Sequence, residues 1–262
     1  IIIIIIGMKL TLLSVSVVCI ASAFSSSSSS SMNMKRVLVT GGNKGIGKAI
    51  CQHLLQEYND VHVLLGSRNA ERGQQAIADI QKHLGADVCQ DRLELVCMDT
   101  ACDKSIAQAA ATIAPPLYGI INNAGIMQGT LQDVVNINYF GPKRVFEAFE
   151  KHLQKPGGRV VNMASAGGPK FNEVLDPKHE LYRKLTQPWI IPGDDRFAEL
   201  DRIAKEYQTD DKYRFSKALV NAYTVLLARD QPDLIVNSVT PGWIQTDMTA
   251  GSAASGTPQQ GA

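Results

Sequence analysis

Residues 35–56, KRVLVTGGNKGIGKAICQHLLQ, constrain this chain more than any other stretch. An apolar, β-rich run from Arg36 to Thr40 breaks at Gly41-Gly42-Asn43-Lys44-Gly45-Ile46-Gly47. Apolar residues then resume at Ile46, Ile50, Leu54 and Leu55, so the period changes from strand to helix across a glycine turn. Glycines let a backbone approach a phosphate closely, and the helix start beyond them offers unpaired N–H groups and a partial positive charge. The stretch therefore has the chemistry of a dinucleotide cradle. Because glycine turns also serve as plain connections, the rest of the chain must supply the chemistry such a cradle would serve.

The pattern that follows repeats the same alternation. Strands are expected at residues 61–66, 93–98, 117–121, 159–163 and 234–239, and helices at 69–84, 104–113, 131–153 and 213–229. Short apolar strands alternating with helices imply a parallel sheet covered on both faces. Crossovers of this kind are right-handed, which gives a doubly wound, Rossmann-type α/β fold in one domain, residues 35–248. Residues 166–212 interrupt the rhythm with two helical candidates, 176–185 and 195–207. Phe197, Leu200, Ile203 and Ala204 share one face of the second. The segment thus reads as an insertion within the domain, not a linker. Residues 249–262 lack an apolar period and are expected to form a disordered tail.

Lys and Arg number 26 against 25 Asp and Glu, for a net charge of +1, so no nucleic-acid or other strongly charged partner is implied. Residues 1–34 read as a presequence. An isoleucine run precedes Met8 and suggests an upstream translation artefact. Met8-Lys9, apolar residues 10–20 and Ala21-Ser22-Ala23 then have the form of a secretory signal. The apolar run is shorter than the ~20 residues of a membrane span. A low-complexity serine run, residues 25–31, and the basic text after it resemble two-part presequences that enter plastids bounded by extra membranes. Plastid import, simple secretion and a cytoplasmic product started at Met32 or Met34 all stay open. Cys51, Cys89, Cys97 and Cys102 lack metal-ligand spacing, as do the scattered histidines, so no metal is expected. Cys51 and Cys97 lie on apolar segments and are expected to be buried thiols.

Tyr213 and Lys217 stand four apart on an expected helix and so share a face. A free tyrosine titrates near ~10, and bringing it to about 7 needs ~4 kcal/mol of preference for the phenolate. One ammonium at ~4 Å supplies about that at an effective dielectric of ~20, but only ~1 kcal/mol in bulk water. The pair can therefore act as an acid or base only in a water-poor pocket. Alone, it also fits an ordinary amphipathic helix with a surface lysine.

Other stretches decide between these. Thr40-Gly41-Gly42-Asn43-Lys44-Gly45-Ile46-Gly47, Asn122-Asn123-Ala124-Gly125, Asn138 in Asn138-Tyr139-Phe140-Gly141, Ser165, Tyr213-Arg214-Phe215-Ser216-Lys217 and Pro241-Gly242 occur in that order. Together they resemble the short-chain dehydrogenase/reductase family across residues 35–248. The resemblance implies that Tyr213 is the general acid for ketone reduction and that Lys217 lowers its pKa while binding the nicotinamide ribose. Ser165 would hold the substrate oxygen, and Asn138 a water linking Lys217 to solvent. Gly41, Asn43, Gly45, Ile46, Gly47, Asn123, Ala124, Gly125, Pro241 and Gly242 would contact the cofactor together with Tyr213 and Lys217, and Asp99 would accept the adenine amino group.

Charge argues for NADPH over NADH. Arg68 follows the second strand where NAD enzymes of this fold place an acid, and Lys44 sits in the glycine turn. The long gap between Ser165 and Tyr213, with the texts GGNKGIG and PGWIQTDM, resembles the carbonyl reductase branch. That branch reduces ketones, aldehydes and quinones with NADPH, and its insertion covers the surface other members use to dimerise, which implies a monomer. The family continues past Met248 with a further helix and strand, so either this sequence is a fragment, or the protein is short, with an incomplete substrate wall and an exposed sixth strand. Two other readings stand: a silent NADP-binding, redox-sensing protein, and an alcohol-oxidising dehydrogenase acting on terpenoids or steroids.

Overall fold

In the computed structural model, residues 34–193, 195–251 and 253–262 are described; the reading of the presequence lies outside them, apart from Met34. Six strands form one parallel sheet: β1 (Lys35–Val39), β2 (Val61–Ser67), β3 (Leu93–Cys97), β4 (Gly119–Asn122), β5 (Arg159–Met163) and β6 (Ile235–Val239). Their spatial order is β3-β2-β1-β4-β5-β6, the doubly wound arrangement expected. Val37 pairs with Val63 on one side and Gly119 on the other. The order reverses between β1 and β4, which opens a crevice at the carboxyl ends of those strands.

The helices are α1 (Gly45–Glu57), α2 (Ala70–Leu84), α3 (Ala86–Cys89), α4 (Asp103–Thr112), α5 (Leu131–Val135), α6 (Gly141–Phe149), α7 (Gly167–Glu173), α8 (Glu180–Thr186), α9 (Arg196–Glu206), α10 (Lys212–Asp230) and α11 (Pro258–Gly261). Alternation along the strands builds two cores. Val37, Val39, Val63 and Leu65 face Ile50, Cys51 and Leu55 of α1 and Ala76 and Ile80 of α2. Leu38, Leu64, Ile120, Val160 and Val236 face α4, α6 and α10 on the other side. Each such side chain contributes roughly 1.5–3 kcal/mol on burial, so both faces hold the sheet in place.

The insertion packs into the second core through Phe171, Leu181, Leu185, Leu200 and Ile203. Helices α8 and α9 lie close to the two expected, while α7, with Phe171 inward, was not expected from periodicity. The expected helix 131–153 is rewound: α5 passes into a π turn at Asn136–Phe140 before α6, and a 3-10 turn follows at Glu150–His152.

Two expectations are corrected. Cys97 is exposed, not buried, because β3 is an edge strand with one open face. Within 249–262, expected to be a disordered tail, the described residues 253–262 form a local structure: Ile244 bridges Gly256, Gln245 N donates to Gly256 O at 2.6 Å, and α11 lies against α1. Backbone pairing with the segment after β6 supplies the order that apolar periodicity lacked. Strand β6 ends the sheet among the described residues, with Ile235 exposed. Among the described residues no helix is long and apolar enough to cross a membrane.

Candidate active site

The crevice holds a cavity of about 390 Å³ lined by Gly41, Asn43, Lys44, Gly45, Ile46, Gly47, Arg68, Asp99, Asn123, Ala124 and Gly125. Gly45 has φ +54°, and a Cβ at Gly47 would lie 2.3 Å from Gly41 O, so the turn closes this tightly only with glycine. Lys44 precedes α1 without a side-chain cap, which leaves the first N–H groups of that helix for an anion. The second half of the crevice is bound to the first: Asn123 N and Ala124 N both donate to Thr40 Oγ1 at 3.0 Å, and Asn123 Nδ2 donates to Thr40 O at 2.9 Å.

Arg68 and Arg72 both line the cavity at the end of β2, and with Lys44 they gather three cations where a 2′-phosphate would sit. Sequence reasoning missed Arg72. The signal was present, since Asn69 caps α2 by accepting from Arg72 N at 2.8 Å, and that cap fixes Arg72 one turn into the helix beside Arg68. Asp99 lines the cavity at the end of the neighbouring strand β3 and accepts from Ala101 N at 3.0 Å. Glycine cradle, uncapped helix start, cation cluster and acid together fit a phosphorylated dinucleotide.

Pro241 and Gly242 do not line the cavity. They turn the chain after β6, with Gly242 at φ +89°, and send residues 243–249 over the glycine turn. There Thr246, Asp247 and Met248 line the cavity and Asp247 pairs with Lys44 at 2.8 Å. Both side chains are mostly exposed, so the pair is a weak closure.

Asn138, Ser165, Tyr213 and Lys217 converge beyond Gly125, outside the cavity lining. A Cβ at Gly125 would stand 3.1 Å from Asn138 Oδ1 and 3.8 Å from Lys217 Nζ, so Gly125 joins the two regions. Ser165 hydrogen-bonds the Tyr213 phenol, and its Oγ also accepts from Gly167 N at 3.0 Å, the first turn of α7. Lys217 is buried, donates to Met163 O at 2.6 Å, and is held down to about 8 by burial. Its Nζ lies 5.7 Å from the Tyr213 ring centroid.

Lys217 is expected to lower the pKa of Tyr213, and in the structure its ammonium is turned to Met163 O. Burial raises the phenol above its ordinary value, and the Ser165 hydrogen bond opposes that to a lesser extent. The ammonium is turned to the end of β5, so desolvation prevails. Asn138 is held on both sides. Its Nδ2 donates to Ile126 O and to Ser216 Oγ, each at 2.9 Å, and its Oδ1 accepts from Ile126 N at 2.8 Å. Only an oxygen lone pair remains for a water. Ser216 in turn donates to Tyr213 O at 2.7 Å, which ties the Asn138 turn to the helix carrying Tyr213.

A buried ladder supports this set from below. Asn122 Nδ2 donates to Asn162 Oδ1 and Asn162 Nδ2 to Thr224 Oγ1, each at 2.9 Å, linking β4, β5 and α10. Among the described residues no cluster of His, Cys, Asp or Glu is arranged to hold a metal.

Residues 35–175 match the family described as short chain dehydrogenase. The chain is similar to (+)-neomenthol dehydrogenase of Arabidopsis thaliana, 31% identical over 254 residues, covering 80% of this chain and 83% of the relative. It is 30% identical over 252 residues to carbonyl reductase (NADPH) 1 of Mus musculus, covering 86% and 87%. Among solved structures, salutaridine reductase from Papaver somniferum shares the fold with a TM-score of 0.71 at 23% identity, covering 87% of this chain and 92% of that one.

Proposed function

The chain belongs to the short-chain dehydrogenase family, and on that premise we propose that it is an NADPH-dependent carbonyl reductase acting on a ketone, aldehyde or quinone. The observation that carries this is the convergence of Tyr213, Lys217 and Ser165 beside a crevice whose lining includes Arg68, Arg72 and Lys44. NADPH, when bound, supplies the hydride. Arg68 and Arg72 would hold the 2′-phosphate, the glycine turn and the start of α1 would hold the pyrophosphate, and Asp99 would accept from the adenine.

Ser165 holds the substrate oxygen against the Tyr213 hydroxyl. Tyr213 gives its proton to that oxygen as negative charge develops there. Lys217 sits below, within reach of ribose hydroxyls at Gly125, and Asn138 with Ser216 fixes the helix that carries Tyr213. The name of the Arabidopsis relative supports testing alicyclic ketones beside quinones.

NADPH oxidation with a panel of ketones, aldehydes and quinones tests the reading. Tyr213→Phe should lower turnover by about 100-fold or more, the size of a general-acid contribution, while NADPH binding stays within a few-fold. Unchanged turnover in that variant would remove Tyr213 from its role. NADPH binding without turnover on any carbonyl would leave the silent NADP-binding protein.

A further inference from the structure

The π turn at Asn136–Phe140 is where the site is most dependent on distant residues. A π turn holds one extra residue, and returning it to α geometry would swing every later side chain by about 100°. Asn138, in the middle of the turn, reaches Ile126 and Ser216 only in the wider winding. Something must hold that winding.

Two side chains grip the turn from outside. Arg144 donates to Asn136 O at 3.1 Å and to Asn136 Oδ1 at 2.6 Å, at the first residue of the turn. On the opposite side, Tyr139 is fully buried, edge-on to Tyr223 with ring centroids 6.1 Å apart, and its hydroxyl donates to Asp201 Oδ1 at 2.8 Å. The second carboxylate oxygen of Asp201 pairs with Lys143 Nζ at 2.5 Å, on α6 just past the turn. Asp201 lies on α9, inside the insertion. One carboxylate thus bridges the insertion to the turn and to the helix that continues it.

We propose that Asp201 is a positioning residue for the reduction. Acting through the Tyr139 hydroxyl, it holds the π turn in the register that seats Asn138 on Ile126 and Ser216, and through Ser216 it holds the start of α10 that carries Tyr213. The insertion is then part of the support of the reaction as well as a surface cover. This rests on the reductase reading for its catalytic half only.

The test uses Asp201→Ala, Asp201→Asn and Tyr139→Phe in the full chain. Tyr139→Phe keeps the ring packing and removes one oxygen, so it remains informative where Asp201→Ala fails to fold. Hydrogen exchange on the cofactor-free protein reads the link directly. The Ile126 amide, which donates to Asn138, should exchange about 10-fold faster in Tyr139→Phe and Asp201→Ala, as expected for one lost hydrogen bond, with β1 and α1 unchanged. Asp201→Asn keeps an acceptor for Tyr139 but sets an amide N–H against Lys143, so its exchange should fall between wild type and Asp201→Ala. In the kinetic arm, kcat should fall by about 100-fold, the effect of a displacement near 1 Å, while the dissociation constant for NADPH stays within about 2-fold.

Unchanged exchange at Ile126 in both disruptive variants overturns the coupling. Faster exchange with unchanged kcat overturns the positioning role. A wild-type protein without reductase activity overturns the function reading, and the exchange arm still decides the coupling.

Discussion

Arg68 and Arg72 both line the cavity on either side of the Asn69 cap, and on the proposed reading both would hold the 2′-phosphate. Hydrogen bonds to a charged group are worth about 1.5–3 kcal/mol. Replacing either arginine by alanine should therefore weaken NADPH about 10-fold or more and leave NADH within a few-fold, measured by fluorescence titration with each nucleotide. Equal effects on both nucleotides would place the arginine elsewhere. Lys217 makes a different prediction. Its folded value, about 8, lies below the ordinary 10.5, so the unfolded chain binds more protons between those values and stability rises with pH across that window. The buried thiol of Cys51 is pushed up and works the other way above pH 9. Subtracting Lys217→Met isolates the lysine. Wild type should gain on the order of 2 kcal/mol relative to that variant from pH 7 to pH 10 in denaturant unfolding. A flat difference would mean that the ammonium is not desolvated.

At the scale of elements, helix α7 shows what period alone leaves out. Its sequence, GGPKFNE, contains two glycines and a proline, so nothing in it announces a helix. It forms because Phe171 packs edge-on to Tyr207 at 6.2 Å and against Phe215 at 5.3 Å, and because Gly168 lets its backbone lie close to Lys217. Phe171→Ala should cost about 3–5 kcal/mol, read from the shift in denaturant midpoint. A loss below ~1 kcal/mol would show that α7 is held by its other contacts. The long helix around Asn138 teaches the converse. Its apolar spacing was legible from Leu131 onward, but the turn at Asn136 is gripped by Arg144 eight residues on and, through Tyr139, meets Asp201 on α9, a partner far along the chain.

The whole molecule is arranged by the reversal of strand order between β1 and β4. That reversal puts the glycine turn and the Asn122–Gly125 stretch side by side, and it brings the end of β5 under Lys217. On the far side, α8 and α9 pack on α10, and Asp201 ties α9 to α6. We propose that this cover leaves the protein a monomer in solution. Sedimentation equilibrium should return the mass of one chain, and a dimer at micromolar concentration would require another surface.

The sequence by itself determined the order of strands and helices, the two-sided burial of the sheet and the glycine turn. It also placed Tyr213 and Lys217 on one helix face and made the insertion helical. These follow from local period and spacing, which a chain carries before it folds. Only the tertiary structure decided that Lys217 turns to Met163, that Tyr213 rises in pKa, that Asn138 sits in a π turn and that α11 packs near α1. Each of these is set by burial or by a partner far along the chain. Desolvation and long-range hydrogen bonds have no signature in a local repeat.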